Sequence, residues 1–193
     1  MPRVRTVSVG EFYQHYPKVA AILTVNAGGN KKNAMAAAWH SAISFKPPLY
    51  GVAVAPKRYT YQLIVEAGEF GINFVPFEAA ELIASVGGSG GGEIDKFRKF
   101  NIAEEKPLKT KVPILRDAYV AYECKLVDNK TYGDHAWMIG EVVAVHFADD
   151  LFTDKGTLDV SKLNPTLYLG ADLYITANRE SMRLLDRETY GKR

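Results

Sequence analysis

The 193-residue sequence predicts a mainly β protein built as a closed or partly closed antiparallel barrel. Three observations predict it. The apolar runs are short and bounded by Gly, Asn or Pro. Strand and helix patterns do not alternate as a doubly wound parallel sheet requires. One segment, Ala118 to Val127, keeps a period of two.

Strands are expected at Ala20 to Val25, Met35 to Phe45, Leu49 to Ala55 and Phe70 to Val75, none of which has helical periodicity. In Ala118 to Val127, Val120, Tyr122, Cys124 and Leu126 alternate with Ala121, Glu123, Lys125 and Val127, so one face is expected to be largely wet. The turn formers from Asp128 to Asp134 separate this strand from a long apolar run, Ala136 to Phe147, which predicts a hairpin.

Three short helices are predicted. The first is capped by Thr60, buries Leu63, Ile64 and Ala67, and ends at Gly68. The second, Phe77 to Val86, follows Pro76 and turns Leu82, Ile83 and Val86 inward; the third carries Ile94, Phe97 and Phe100. They are expected to cover a barrel end or mouth.

The length suits a single domain over 1–193, and 47% hydrophobic with 24% charged residues suggests neither disorder nor a membrane span. No run approaches ~20 apolar residues, and Met1 to Val9 lacks a signal-peptide core, so a cytoplasmic protein is expected. With 24 Lys+Arg against 22 Asp+Glu scattered along the chain, nucleic acid is not expected as a partner. The single cysteine, Cys124, excludes an internal disulfide and a thiolate cluster, and no metal site is expected.

Four segments carry candidate chemistry. Gly87 to Glu93 is glycine-rich, but Glu93 stands where a phosphate loop needs lysine and where the dinucleotide fingerprint needs glycine. It reads instead as a mobile loop, with a functional variant in which it folds over a ligand while Lys96 meets an anion. Pro56-Lys57-Arg58-Tyr59-Thr60 places basic residues at a helix start, where unpaired N–H groups favour an anion; the plain alternative is a capped helix with solvated lysine and arginine. Asn33 to Ser41 is a run of small residues broken by Trp39, which would let a flat ligand approach the backbone, or Trp39 is ordinary core. Gly133-Asp134-His135 puts a histidine at the hairpin end, a position that is usually structural.

Taken in order, these segments resemble the flavin reductase-like family, which shares the FMN-binding split barrel and includes flavoredoxins, archaeal ferric reductases and short-chain flavin reductases. The resemblance rests on Asn33 to Trp39 with Ser44-Phe45-Lys46-Pro47-Pro48-Leu49, on Pro56 to Ile64, on Glu69-Phe70-Gly71-Ile72-Asn73, and on Gly133-Asp134-His135 leading to Ile139-Gly140-Glu141-Val142. Asn164 to Gly170 is similar to the family's closing segment.

The resemblance implies an antiparallel Greek-key split β-barrel with a few short peripheral helices. It implies FMN held by Asn33, Ala37, Trp39, Ser41 and Ser44, by Pro56, Lys57, Arg58 and Thr60 around the phosphate, and by Asn73, Ser89, Lys96, His135 and Tyr168. His135 is the implied catalytic residue, as an orienting and stacking group. The implied activity is an NAD(P)H-dependent flavin or ferric reductase with NADH or NADPH as donor, or a flavoredoxin-like electron carrier with no nicotinamide site. The implied assembly is a homodimer with the flavin near its interface, passing electrons to a small molecule or a protein. Many relatives have hydroxyl residues where this chain has Ala36, Ala37 and Ala38, so backbone donors would replace them.

Overall fold

The computed structural model describes residues 1, 3–11 and 13–190. Its strands are β1 (Lys18–Val19), β2 (Ala21–Asn26), β3 (Lys32–Ala37), β4 (His40–Phe45), β5 (Pro48–Val54), β6 (Glu69–Phe74), β7 (Glu104–Glu105), β8 (Ile114–Leu115), β9 (Val120–Tyr132), β10 (His135–Phe147), β11 (Thr166–Gly170) and β12 (Leu173–Thr176). The α-helices are α1 (Tyr59–Ala67), α2 (Ala80–Gly87), α3 (Lys96–Lys99) and α4 (Arg187–Tyr190).

Seven strands form one antiparallel sheet in the order β3-β2-β6-β9-β10-β5-β4. Laid flat, such a sheet would hold its outer strands about 29 Å apart, six gaps of roughly 4.8 Å. Yet β3 and β4 are consecutive in the chain and separated only by Ala38 and Trp39. Three peptide steps span at most about 11 Å, so the sheet must roll up until its two edges meet. The antiparallel split-barrel class is therefore the one observed, with β1-β11-β12 as a smaller sheet beside it.

Leu23, Val25, Val52, Val54, Phe70, Cys124 and Met138 are fully buried inside the roll, together with Leu63 and Ile64 of α1. Each such aliphatic or aromatic side chain stabilises the fold by roughly 1.5–3 kcal/mol through burial. The other face of β2 and β3 carries a second core, in which Ile22 and Ala34 meet Ile83, Val86 and Phe97. Burial on both faces explains why β2, Ala-Ile-Leu-Thr-Val, is apolar but for Thr24 instead of alternating.

Several expectations need correction. Met35 to Phe45 is two strands, because the chain must break at Ala38–Trp39 to pass between opposite edges of the sheet. The hairpin loop is only Gly133-Asp134, with Tyr132 paired to His135, so Asp128 to Tyr132 lies in strand despite its turn-forming residues. Gly133 supplies the positive φ (63°) that so short a turn requires. The second helix opens with a 3-10 turn, Phe77–Ala79, before α2.

The expected wet face of β9 is half covered. Ala121 and Glu123 are buried, while Lys125 and Val127 are exposed. Glu123 accepts hydrogen bonds from the backbone N–H groups of Leu108, Lys109 and Thr110, from the Thr110 hydroxyl and from His146. The carboxylate thereby fastens the irregular segment before β8 to the barrel wall. Burial pushes the Glu123 carboxyl up, but these hydrogen bonds outweigh it and hold the group at about 2.

Candidate functional site

A cavity of about 620 Å³ opens where the two sheet edges meet. Asn33, Met35 and Ala36 to Ala38 form one side, and Trp39 with Ala53 to Ala55 forms the other. The Trp39 carbonyl accepts from the Ala53 N–H at 2.8 Å, which keeps β5 beside the crossing point. The size lies within the range typical of small-molecule and cofactor sites, ~300–1,000 Å³.

One end of the cavity is cationic. Lys57, Arg58 and Thr60 line it at the start of α1, and Lys96 lines it from α3. Thr60 is not the helix cap: Arg58 occupies that position with no side-chain cap bond, and Thr60 lies in the first turn. Among the described residues no side chain caps the start of α1, and its first residues Tyr59 and Thr60 line the cavity. An uncapped helix start flanked by Lys57 and Arg58 suits an anion.

The Thr60 hydroxyl instead accepts from the Asn33 side-chain amide at 2.8 Å. It retains its own proton to donate. Asn33 is 2% exposed, and its Oδ1 is buried without a hydrogen-bond partner among the described residues. Such an orphan carbonyl is costly in an apo protein and is the group that an incoming donor would satisfy. Gly91 lies against this amide so closely that an added Cβ would come within 2.3 Å of Asn33 Nδ2.

Lys96 is 2% exposed and donates to the Ala34 carbonyl at 2.9 Å and the Val86 carbonyl at 2.6 Å. These bonds pin both ends of the Gly87 to Glu93 loop to β3. Burial, and then the Arg58 charge, lower the Lys96 ammonium to about 8. Among the described residues Lys57, Arg58 and Lys96 form no salt bridge, although Glu93 also lines the cavity and the Lys57 charge acts on Asp134.

Another part of the wall is aromatic. Trp39 and His135 rings lie 4.9 Å apart at 47°. The Trp39 indole N–H donates to the Tyr16 hydroxyl at 2.5 Å, and Tyr16 contacts Tyr168 at 6.0 Å between ring centroids. His135 is oriented by an Asp134 carboxylate 2.8 Å from its Nδ1. The hydrogen bond and charge of His135 lower the Asp134 carboxyl below its ordinary value.

Of the residues expected at the site, Asn33, Ala37, Trp39, Lys57, Arg58, Thr60, Ser89, Lys96, His135 and Tyr168 line this cavity. Ser41, Ser44, Pro56 and Asn73 do not. Ser41 is exposed on β4 and bonds the Ala42 carbonyl, and Ser44 accepts from the Lys46 N–H, both beyond the break that carries the chain away from the cavity. Pro56 occupies the second position of the turn closed by the Arg58 N–H on the Ala55 carbonyl.

Asn73 is on the far side of the sheet. Its amide donates to the Ile22 carbonyl and to Thr24 Oγ1, and its Oδ1 accepts from the Leu115 N–H, so it ties β2, β6 and β8 together. Tyr13 and Tyr16 line the cavity without having been singled out in the sequence. The two N-terminal tyrosines precede the first strand and have no local pattern that would mark them.

Rolled sheet, cationic cleft end and aromatic wall define a split-barrel protein with a cofactor-sized anion-binding cavity. The model of the flavin reductase like domain matches residues 13–173. An uncharacterized protein of Pyrococcus abyssi is 35% identical over 137 residues, covering 71% of this chain and 78% of that protein. An FMN-binding protein from Thermus thermophilus, solved with bound 1-cyclohex-2-enone, is 34% identical with a TM-score of 0.84, covering 95% of this chain and 100% of that one. Flavoredoxin of Desulfovibrio vulgaris (Miyazaki F) shares the fold with a TM-score of 0.82 at 23% identity, over 97% of this chain and 100% of that one. The chain belongs to the flavin reductase-like family. Among the described residues no helix is long and apolar enough to cross a membrane.

Proposed function

We propose that this protein binds FMN in the cavity at the sheet edges and is an NAD(P)H-dependent flavin or ferric reductase. The observation that carries the FMN reading is the orphan Asn33 Oδ1 beside a salt-bridge-free cluster of Lys57, Arg58 and Lys96. A ligand that is both a hydrogen-bond donor and an anion answers both demands at once. FMN has donor groups on its ring and ribityl chain and a phosphate at the far end.

In this reading Lys57, Arg58, Thr60 and the first N–H groups of α1 hold the phosphate. Asn33 and Lys96 face the buried middle of the ligand, and Trp39, His135 and Tyr168 wall its ring. FMN, when bound, supplies the exchange between hydride from NADH or NADPH and electrons delivered to an acceptor. The chain's own residues position and exclude water: Ala36 to Ala38 admit a flat ring against the backbone, and the loop from Gly87 to Glu93 covers it. Asp134 fixes the ring orientation of His135, which acts as a stacking and orienting group.

The homodimer belongs to the same proposal. Val19, Leu169, Leu173 and Ile175 lie exposed on the β1-β11-β12 sheet next to Tyr168, an apolar face that suits a second copy near the flavin. Sedimentation at micromolar concentration giving only monomer would remove it.

The activity is tested by mixing flavin-loaded protein with NADH or NADPH in the absence of oxygen. Bleaching of the flavin absorbance supports the reductase. Flavin that stays oxidised with both donors, but bleaches with dithionite, would turn the assignment to a flavoredoxin-like carrier reduced by another protein.

A further inference from the structure

An aromatic cluster that takes no part in lining the cavity packs against the barrel core. Tyr50 on β5, Phe74 on β6 and Tyr122 on β9 meet there, with ring centroids 5.4 Å apart for Tyr50 and Tyr122 and 5.6 Å for Phe74 and Tyr122. His40, the first residue of β4, joins the cluster, its ring 5.9 Å from Tyr50 at 27° and 5.7 Å from Phe74. It follows Trp39, a cavity wall, directly in the chain.

Two hydrogen bonds fix the proton of His40. Its Nε2 lies 2.9 Å from the Val19 carbonyl, which can only accept, so Nε2 carries the hydrogen. Its Nδ1 lies 2.8 Å from the Tyr50 hydroxyl. Burial lowers the His40 imidazolium against the opposing effect of the Val19 bond, with the Lys18 charge adding a smaller lowering, and burial raises the Tyr50 phenol. Both groups are therefore neutral at rest, and the Tyr50 O–H donates to the Nδ1 lone pair.

A phenol gives up an electron readily only when its proton leaves with it, because the oxidised phenol is a far stronger acid than imidazolium. A nitrogen base already hydrogen-bonded to the hydroxyl is the acceptor that this step requires. We propose that Tyr50 and His40 form a proton-coupled redox pair, a site that intercepts oxygen-centred radicals before they attack the barrel. The radical takes one electron from Tyr50 and becomes the corresponding anion. The Tyr50 O–H bond breaks, its proton passes to His40 Nδ1, and Tyr50 is left as a neutral phenoxyl radical beside an imidazolium. An enediolate reductant of the ascorbate type then gives up one electron, the proton returns from Nδ1, and the phenol is restored. Tyr122, in ring contact with Tyr50, places a second phenol beside the first. The expected source of such radicals, dioxygen meeting a reduced cofactor, rests on the FMN reading; the redox pair stands on its own hydrogen bonds and is testable without flavin.

The full-length protein, flavin-free, is photo-oxidised with tris(bipyridine)ruthenium and persulfate, frozen, and read by high-field electron paramagnetic resonance. The spectrum should contain a tyrosyl radical coupled to an exchangeable proton and, in protein with isotopically labelled histidine, to an imidazole nitrogen. Ascorbate added before freezing should erase it. Tyr50→Phe should remove this component and leave only uncoupled signals from exposed phenols such as Tyr132 and Tyr190. His40→Gln keeps a hydrogen-bond acceptor but no basic nitrogen; losing a positioned proton acceptor slows such a step about a hundredfold, so the yield at Tyr50 should fall about tenfold or more as other phenols compete. A wild-type spectrum unchanged by Tyr50→Phe, or an equal yield at Tyr50 in His40→Gln, overturns the proposal. Should His40→Gln fail to fold, the histidine coupling in the wild-type spectrum decides: its presence supports the pair and its absence removes it.

Discussion

Asn33 donates to Thr60 Oγ1 across 2.8 Å while its own carbonyl oxygen stays buried and, among the described residues, unpartnered, which joins β3 to α1 and leaves one acceptor unsatisfied. Asn33→Ala removes one hydrogen bond and one unsatisfied oxygen together. Its effect on the stability of the flavin-free protein should stay below about 1 kcal/mol, while FMN affinity should fall about tenfold. Urea unfolding and fluorescence titration of FMN check the two parts separately.

Arg58 distinguishes the phosphate from the rest of the ligand. Arg58→Ala should weaken FMN by about 1.5–3 kcal/mol, the scale of a lost charge-assisted hydrogen bond, and leave riboflavin binding nearly unchanged. Equal losses for FMN and riboflavin would place the phosphate elsewhere.

Lys96 makes binding sensitive to alkali. Because burial and then Arg58 hold its ammonium at about 8, below the ordinary lysine value, the unfolded chain binds a proton that the folded chain has released between pH ~8 and ~10.5. The flavin-free protein should therefore gain stability across that window as pH rises. FMN affinity should move the opposite way, falling as pH rises through about 8 and the ammonium loses its charge. Lys96→Met should flatten the binding profile, measured as FMN dissociation constants at about pH 7 and about pH 9.

Glu123 sets the acid limit. Burial raises this carboxyl, but bonds from His146, Leu108, Lys109 and Thr110 bring it down to about 2, so its contribution is present above the unfolded value and disappears as pH falls toward 2. The contribution amounts to about 3 kcal/mol, and Glu123→Gln should remove most of it at neutral pH while flattening stability between about pH 5 and about pH 3. Denaturant midpoints of both proteins across that range provide the check.

Much of this molecule can be read from local pattern. The apolar runs at β2, β5 and β6, Gly68 ending α1 and the basic residues at the start of α1 are all local features, and the structure contains them. What escaped is what depends on distant partners. Glu123 looks like a solvated residue on an alternating strand until the Leu108 to Thr110 backbone is seen to fold onto it. The resemblance implies Asn73 as a ligand group, but β2 and β8 rather than the cavity satisfy it. Thr60 has the chemistry of a cap and serves Asn33 instead. Tyr13 and Tyr16 reach the cavity from a segment far from it in sequence.

The two-residue passage from β3 to β4 has a consequence for chain connectivity. Every ladder partner of β3 lies on β2 and every partner of β4 lies on β5, so no strand pairing depends on the bond between Ala38 and Trp39. A circular permutant whose new ends fall there would retain all the pairings of the cylinder and yet split the floor of the ligand site. Ala38 and Trp39 thus belong to no ladder and yet both line the cavity.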